Sequence, residues 1–491
     1  MEFTLKHYQT RAITFAKDHD RACLVMPTGS GKTLVAIHAA MDFLRTNEKG
    51  KILFIGPKPA VNVIPKEFDN FPSLKEQAPD FIKKLKLCTF DSFRQKFYEA
   101  DKGLVQYQDL ENTMMIIDEA HRIKNPKSST FVAIARHCGL AARVLMLTAT
   151  PITHSYYDLL TLQFLLALRM QKVGNKYSIS LMVHKDKNDE TKATVTEFIH
   201  EFENLKWKEK RMMKVFEGLC APFHVEKRET VYEKLAGKEP YTAVNVKDEE
   251  DADFKIQLKN KRELFQSQTL VVKTADNQKK FSQKYKRVLK HISDAYHENK
   301  RIYVYFPLVK SSITQAVTLS TIKTHLQEGF NGIRRIPPHS IIVFDGVTTP
   351  GARDRQLESI NVIRKNDPIV VLAGSVLRES STLKCFDHVV FFGPENTFSD
   401  LMQAIGRTIR QSSHADCFPL DKSYDKVTVS LFHGTMDENR CKTMRKNREI
   451  MKDCEEQMQK EKNYKECELL HLHSIRGLEL DKVAKFFGLR S

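Results

Sequence analysis

The chain has 491 residues, 41% hydrophobic and 28% charged. That mix suits about three globular domains and excludes wholesale disorder, collagen-like repetition and a membrane-embedded protein. Lys and Arg outnumber Asp and Glu by 78 to 61, a net charge of +17 that points to a polyanionic partner, nucleic acid first.

The first six residues lack a signal-peptide layout, and the longest apolar run, 159–168, is too short to span a bilayer, so a soluble intracellular protein is expected. Short apolar runs at 22–26, 52–55, 85–89, 114–117 and 144–147 read as buried parallel strands. Helical periodicity fills the intervals, as at 33–44 and 130–137, and this alternation predicts a doubly wound α/β lobe over 1–168. From 169 to 285 Lys and Glu rise and apolar residues recur at helical spacing over 197–215, which reads as a mainly helical insertion with polar joints near 185–191 and 247–252. Ten basic residues against two acids lie between Lys259 and Lys290, a candidate phosphate-contacting stretch.

Alternation resumes after 285, with strand runs at 302–306, 341–344, 369–372, 388–392 and 427–432 giving a second α/β lobe over 286–435. A charged segment, 438–465, has helix-forming composition, so 436–491 is expected to be C-terminal helices. Nine cysteines with no Cys-x-x-Cys pair read as reduced buried thiols. Cys454, Cys467, His471 and His473 fit no zinc-finger or ribbon spacing and read as helix-face residues without a metal.

Two strings in the first lobe carry phosphate chemistry. Pro27, Thr28, Gly29, Ser30, Gly31, Lys32 and Thr33 follow a strand and open a helix. Glycines let successive N–H groups turn inward toward phosphate oxygens; Lys32 reaches the β- and γ-phosphates and Thr33 sits on Mg2+. A plain surface turn is the alternative, which the flanking strand and helix disfavour. The second string, Asp118-Glu119-Ala120-His121, ends a buried strand. Asp118 is placed to hold Mg2+ and Glu119 to orient and deprotonate a water; read alone, the pair also fits a helix N-cap.

Together with Tyr8-Gln9 and Thr148-Ala149-Thr150-Pro151, these strings resemble the first RecA-like lobe of a superfamily 2 helicase, and 118–125 resembles the Swi/Snf-type branch. The resemblance implies ATP and Mg2+ as cofactors, Gln9 at the adenine, and His121, Thr148 and Thr150 coupling nucleotide state to lobe closure. Pro57, Lys58 and Thr89 stand where that family contacts the nucleic-acid backbone, although a plain strand-to-helix turn explains those matches as well.

In the second lobe Arg407 and Arg410 stand three apart, so on a helix they share a face and can reach one anion. The segment 403–410 is similar to the last helicase motif, which implies that both arginines act as fingers on the γ-phosphate and that Gln403 lies at the nucleotide. Thr348 falls in a segment resembling that lobe's nucleic-acid loop. At 379–383 the usual Gly-x-Gly-Leu is missing. The stretch from 379 to 416 is similar to helicase-like ATPases of large DNA viruses, the poxvirus early transcription factor small subunit among them. The expected function is an ATP-driven nucleic-acid motor, most simply a translocase on double-stranded DNA, with a viral transcription-factor or RNA polymerase partner implied by the resemblance alone. An unwinding DNA or RNA helicase and a non-catalytic ATPase-fold subunit are the alternatives.

Overall fold

The structure is a computed structural model and describes residues 4–70, 74, 76, 80–97, 109–153, 155–173, 176–185, 187–201, 208–226, 242–245, 270–273, 279–306, 317–345, 349–362, 367–374, 377, 382–409, 413, 427–434, 437–460 and 466–471. The chain forms two compact units, one of 1–227 with 449–491 and the other of 228–448.

In the first unit the strands are β1 (Arg21–Val25), β2 (Lys51–Gly56), β3 (Leu85–Thr89), β4 (Thr113–Asp118), β5 (Arg143–Thr148), β6 (Leu168–Val173), β7 (Lys176–His184) and β8 (Phe223–Val225). A six-stranded, all-parallel sheet runs β3-β2-β4-β5-β1-β8. Every residue of β1 and of β4 is buried, as expected of strands covered on both faces. Their near-continuous apolar runs are what makes these strands visible in the sequence. Among the crossover helices, Lys32–Thr46, Ser129–Leu140 and Tyr156–Ala167 are mostly buried, and the last is buried from Asp158 to Ala167. Registers Val25↔Thr148 and Asp118↔Leu147 bring the carboxyl ends of β1, β5 and β4 to one edge.

The segment after 168 departs from the expected helical insertion. Helices Asp189–Glu201 and Glu209–Gly218 do form, but β6 and β7 make an antiparallel pair and β8 joins the main sheet beside β1, at Cys23↔Phe223. Lys/Glu-rich composition marks exposure rather than helix, and a short strand at a sheet edge needs few apolar residues.

The second unit holds β9 (Thr242–Asn245), β10 (Val271–Lys273), β11 (Lys279–Phe281), β12 (Arg301–Tyr305), β13 (Ile341–Phe344), β14 (Ile369–Ala373), β15 (His388–Phe391) and β16 (Thr428–His433). Its six-stranded parallel sheet runs β13-β14-β12-β15-β16-β9, and β10 pairs antiparallel with β11. Helix Gln283–His297 turns Tyr285, Val288, Leu289, Ile292 and Tyr296 inward at helical spacing, and the Ser282 hydroxyl caps its start by accepting the Tyr285 amide. Lys284, one of the ten bases of the expected phosphate-contacting stretch, is instead fully buried and paired with the equally buried Asp437 at 2.7 Å. Much of that basic stretch, and the 247–252 joint, lie outside the described residues.

Helix Glu438–Gln459 crosses the boundary between the units at 448. The next described strand is β17 (Cys467–His471), which pairs antiparallel with β7; 461–465 and 472–491, where further C-terminal helices are expected, lie outside the described residues. Among the described residues no helix is long and apolar enough to cross a membrane.

Candidate nucleotide site

The loop between β1 and the helix Lys32–Thr46 is tied at both ends. The Met26 amide donates to the Thr148 carbonyl at 3.0 Å and the Ser30 amide to the Pro27 carbonyl at 3.2 Å. Gly29 and Gly31 take φ of 82° and 83°, a left-handed backbone that a Cβ would strain. Gly31 is also the N-cap, and no side chain caps the helix, so the loop presents first-turn N–H groups without a side-chain acceptor. The Ser30 hydroxyl is buried and has no partner among the described residues. Lys32 Nζ lies 3.2 Å from the Met26 carbonyl, folded across the same loop.

Gln9 supports this loop from the helix His7–Asp18. Its Nε2 donates to the Ser30 carbonyl at 2.9 Å and its Oε1 accepts the Lys6 amide at 2.9 Å. Both ends of the amide are therefore engaged by the protein, and a Cβ on Gly31 would stand 2.4 Å from Nε2.

Asp118 ends β4, buried, with Oδ1 accepting the Glu119 amide at 2.8 Å. Burial, and then the neighbouring Glu119 charge, push its carboxyl up to about 7 against the opposing pull of Lys32. Glu119 adopts φ 51°, an uncommon conformation for a side-chain-bearing residue that lets the chain turn sharply after the strand. His121 follows, with Nδ1 3.1 Å from Thr148 Oγ1 and 3.3 Å from Glu119 Oε2. Desolvation brings its imidazole down to about 4, so it is neutral at pH 7. The contact with Glu119 is close without being a hydrogen bond, so Thr148 Oγ1 is the hydrogen-bond partner of Nδ1. The Thr150 amide donates to Thr148 Oγ1 at 3.1 Å.

A second cross-link in this neighbourhood is not marked in the sequence. Lys124 Nζ donates to Thr153 Oγ1, and Asp158 accepts both the amide and the hydroxyl of Thr153, at 2.7 and 2.6 Å. It ties the turn after His121 to the turn after Thr150; residues of common type, with Lys124 well upstream of Thr153 and Asp158, give no local signal for it.

Pro57 and Lys58 follow β2, and Thr89 ends β3. Thr89 and Ser92 exchange hydrogen bonds, each hydroxyl accepting the other's amide, at 2.9 and 3.1 Å. The first unit thus collects Gln9, 27–33, Pro57, Lys58, Thr89, Asp118, Glu119, His121, Thr148 and Thr150 around the carboxyl ends of its strands, where ligands of open parallel sheets bind.

In the second unit Gln403 lies near the end of the helix Phe398–Ile405 and Arg407 in the turn that follows, buried, its carbonyl accepting the Leu383 amide at 3.0 Å. The Ser413 hydroxyl donates to the Thr408 carbonyl, and its own carbonyl accepts the Cys385 amide. The 382–385 segment is therefore laced to the arginine turn. Arg410 and Thr348 lie outside the described residues.

Cysteine pairing corrects the expectation of nine free thiols. Cys220 and Cys467 form a disulfide, and Cys385 is disulfide-bonded too. A pair 247 residues apart leaves no local spacing signal in the sequence. Cys454 packs in the first core and His471 Nδ1 meets the Ser180 hydroxyl at 2.8 Å, while His473 lies outside the described residues.

Parts of the chain are similar to known helicases. The family profile described as Type III restriction enzyme, res subunit, matches residues 2–153, the helicase conserved C-terminal domain matches 283–412, and an SNF2-related domain matches 83–293. A protein of Acanthamoeba polyphaga mimivirus named as an ATP-dependent RNA helicase is 31% identical over 162 residues, 32% of this chain and 31% of the relative. A helicase of a Sulfolobus islandicus filamentous virus is 30% identical over 138 residues, 24% of each chain. An ATP-dependent DNA helicase of Debaryomyces hansenii is 28% identical over 160 residues, 30% of this chain and 14% of the relative. Among solved structures, the DUF1998 helicase MrfA bound to DNA aligns over 88% of this chain and 49% of its own at 12% identity, TM-score 0.48. The Sulfolobus solfataricus SWI2/SNF2 ATPase core in complex with dsDNA aligns over 92% and 93% at 16% identity, TM-score 0.35. The matched region spans a third or less of the length of each of these sequence relatives. The family matches in both lobes, each covering less than half of the chain, make it similar to superfamily 2 helicases, with the SNF2-related match pointing to the Swi/Snf-type branch.

Proposed function

We propose that this chain is an ATP-hydrolysing motor that acts on nucleic acid, with ATP and Mg2+ bound at the β1–β4–β5 edge. One observation carries the reading: an uncapped phosphate loop with a buried, partnerless Ser30 hydroxyl converges with the paired carboxylates of Asp118 and Glu119. Amides of 29–33 take phosphate oxygens and Lys32 the β- and γ-phosphates. Thr33 and Asp118 are the residues that would hold Mg2+, and the buried Asp118 carboxylate with the half-buried Glu119 beside it is a mutually repelling donor set that a dication relieves. The ion supplies charge neutralisation on the phosphates.

Glu119 orients and deprotonates the attacking water. Arg407 and Arg410, with Gln403 at the nucleotide, stabilise charge on the transferred phosphoryl group. His121, Thr148 and Thr150 relay nucleotide state, and Pro57, Lys58, Thr89 and Thr348 meet the nucleic-acid backbone. Gln9 braces the phosphate loop and borders the adenine. The motor lobes are 1–168 and 286–435, with 169–285 and 436–491 as additions to them.

Translocation on double-stranded DNA is the finer reading, supported by the SNF2-related match. The mimivirus relative's name favours RNA as a second reading. A role in viral transcription, beside a transcription-factor subunit or RNA polymerase, in host cytoplasm, nucleus or virion, rests on the similarity of 379–416 to poxvirus factors and suits the two viral relatives.

ATPase rates with duplex DNA, single-stranded DNA and RNA at one stated salt concentration test these readings. Duplex DNA should stimulate most; a response to RNA alone would overturn the translocase reading. Lys32→Ala and Glu119→Gln should abolish turnover, and wild-type rates in both would sink the assigned roles. Arg407→Ala should spare ATP binding and slow hydrolysis by about a thousandfold.

A further inference from the structure

His184, Cys220 and Cys467 form a cluster that the ATP site does not use. They come from three separate places in the first unit: the end of β7, the residues before β8, and the start of β17. Cys467 stands opposite His184 in the β17–β7 ladder, and the Cys220 amide donates to the Met182 carbonyl on β7 at 2.9 Å. Their ligand atoms all lie within 4.8 Å of one another, with Cys467 Sγ 3.9 Å from His184 Nδ1. Ligand atoms around a tetrahedral zinc stand about 3.4–3.8 Å apart, given Zn–S of about 2.3 Å and Zn–N of about 2.0 Å. The trio therefore needs only small side-chain motion to meet one ion.

We propose that these three residues are a soft-cation site of the zinc class, occupied when the Cys220–Cys467 pair is reduced. The Cα–Cα distance of 6.5 Å is near the wide end of the range usual for disulfides, so the two sulfurs can part to flank a metal without backbone movement. Two thiol molecules reduce the bond by exchange, giving two cysteine thiols and one disulfide of the reductant. Binding of the dication then releases two protons from those thiols. Two thiolates and an imidazole make a ligand set selective for zinc over magnesium or calcium, and three protein ligands leave a fourth position to water. His184 and Cys220 are buried while Cys467 is half-buried, which leaves an entry path on the β17 side.

The site has a mechanical consequence. The chain leaves the first unit after residue 227 and re-enters it at 449. Cys220 precedes the departure and Cys467 follows the return, so disulfide and metal are alternative clasps on the same excursion.

Full-length protein, reduced with a phosphine and desalted anaerobically, is titrated with Co2+ and then with Zn2+. About one equivalent of Co2+ should raise a thiolate-to-metal charge-transfer band that Zn2+ abolishes. Unreduced wild-type protein and the Cys220→Ser/Cys467→Ser variant should lack the band. His184→Ala should keep it with affinity weakened by about tenfold or more. No band in reduced wild type, an equal band in the double variant, or unchanged affinity in His184→Ala would each overturn the site. The unreduced control needs no substitution, so a misfolded variant does not shield the proposal.

Discussion

The Nδ1 atom of His121 lies 3.1 Å from Oγ1 of Thr148, and the same hydroxyl accepts the Thr150 amide at 3.1 Å. One oxygen thus joins the turn after β4 to the turn after β5. Thr148→Val keeps the shape and removes the oxygen, leaving two buried partners short of a contact at a cost of about 1–1.5 kcal/mol. If this link relays nucleotide state, basal ATPase should stay near wild type while the nucleic-acid-stimulated rate falls by roughly tenfold. Equal loss in both rates would mean that the hydroxyl serves the site's stability and not its coupling.

Gly31 combines a left-handed φ with a close neighbour. An alanine there meets strain of about 1–2 kcal/mol and must displace the Gln9 amide, 2.4 Å from the new Cβ. Moving Gln9 sacrifices its bond to the Ser30 carbonyl, worth about 1 kcal/mol more. In a Gln9→Ala background Gly31→Ala should therefore cost only the backbone strain, a coupling of about 1 kcal/mol in a double-mutant cycle of nucleotide-free unfolding. Strict additivity would show that the two residues do not press on each other.

Lys284 and Asp437 are both removed from water, and Asp437 Oδ2 also accepts the Gly434 amide at 2.9 Å. Asp437→Leu alone removes the carboxylate that faces the buried Lys284 ammonium and should destabilise the second unit by about 3–5 kcal/mol. Adding Lys284→Met removes that buried charge and should recover most of the loss, though not the part due to Gly434. Urea unfolding of the two variants decides; a double variant no better than the single one would mean that the pair is not the source of the cost.

His137 is buried in the first core, with Nδ1 2.7 Å from the Ala133 carbonyl and its ring edge-on to Phe93. Burial holds it down to about 4 against an ordinary value of 6.5, so the unfolded chain takes up the proton first as pH falls. Its contribution is complete above about 6.5, declines by about 1.4 kcal/mol per pH unit below that, and is exhausted near pH 4. Between pH 7 and 5 the first unit should lose about 2 kcal/mol through this group. His137→Leu should flatten that dependence by the same amount; an unchanged slope would place the acid sensitivity elsewhere.

Much of the two-sheet frame is legible in the sequence, because both main sheets are parallel and their central strands are buried on both faces. Such strands need unbroken apolar runs, and the runs ending at Val25, Ile117 and Leu147 announce themselves by composition. The phosphate loop is equally plain, since its glycines answer a local backbone requirement at Gly29 and Gly31. Tertiary structure alone decides what joins across long stretches of chain. β8 and β9 enter sheets whose other strands lie far away in sequence, β17 returns to β7, and Lys284 is drawn out of an apparent phosphate-binding run to face Asp437. Cys220, Cys467 and His184 meet for the same reason. Local periodicity encodes which face a residue turns inward, whereas the partner it finds there depends on which distant segment fills the space, and no short window of sequence contains both.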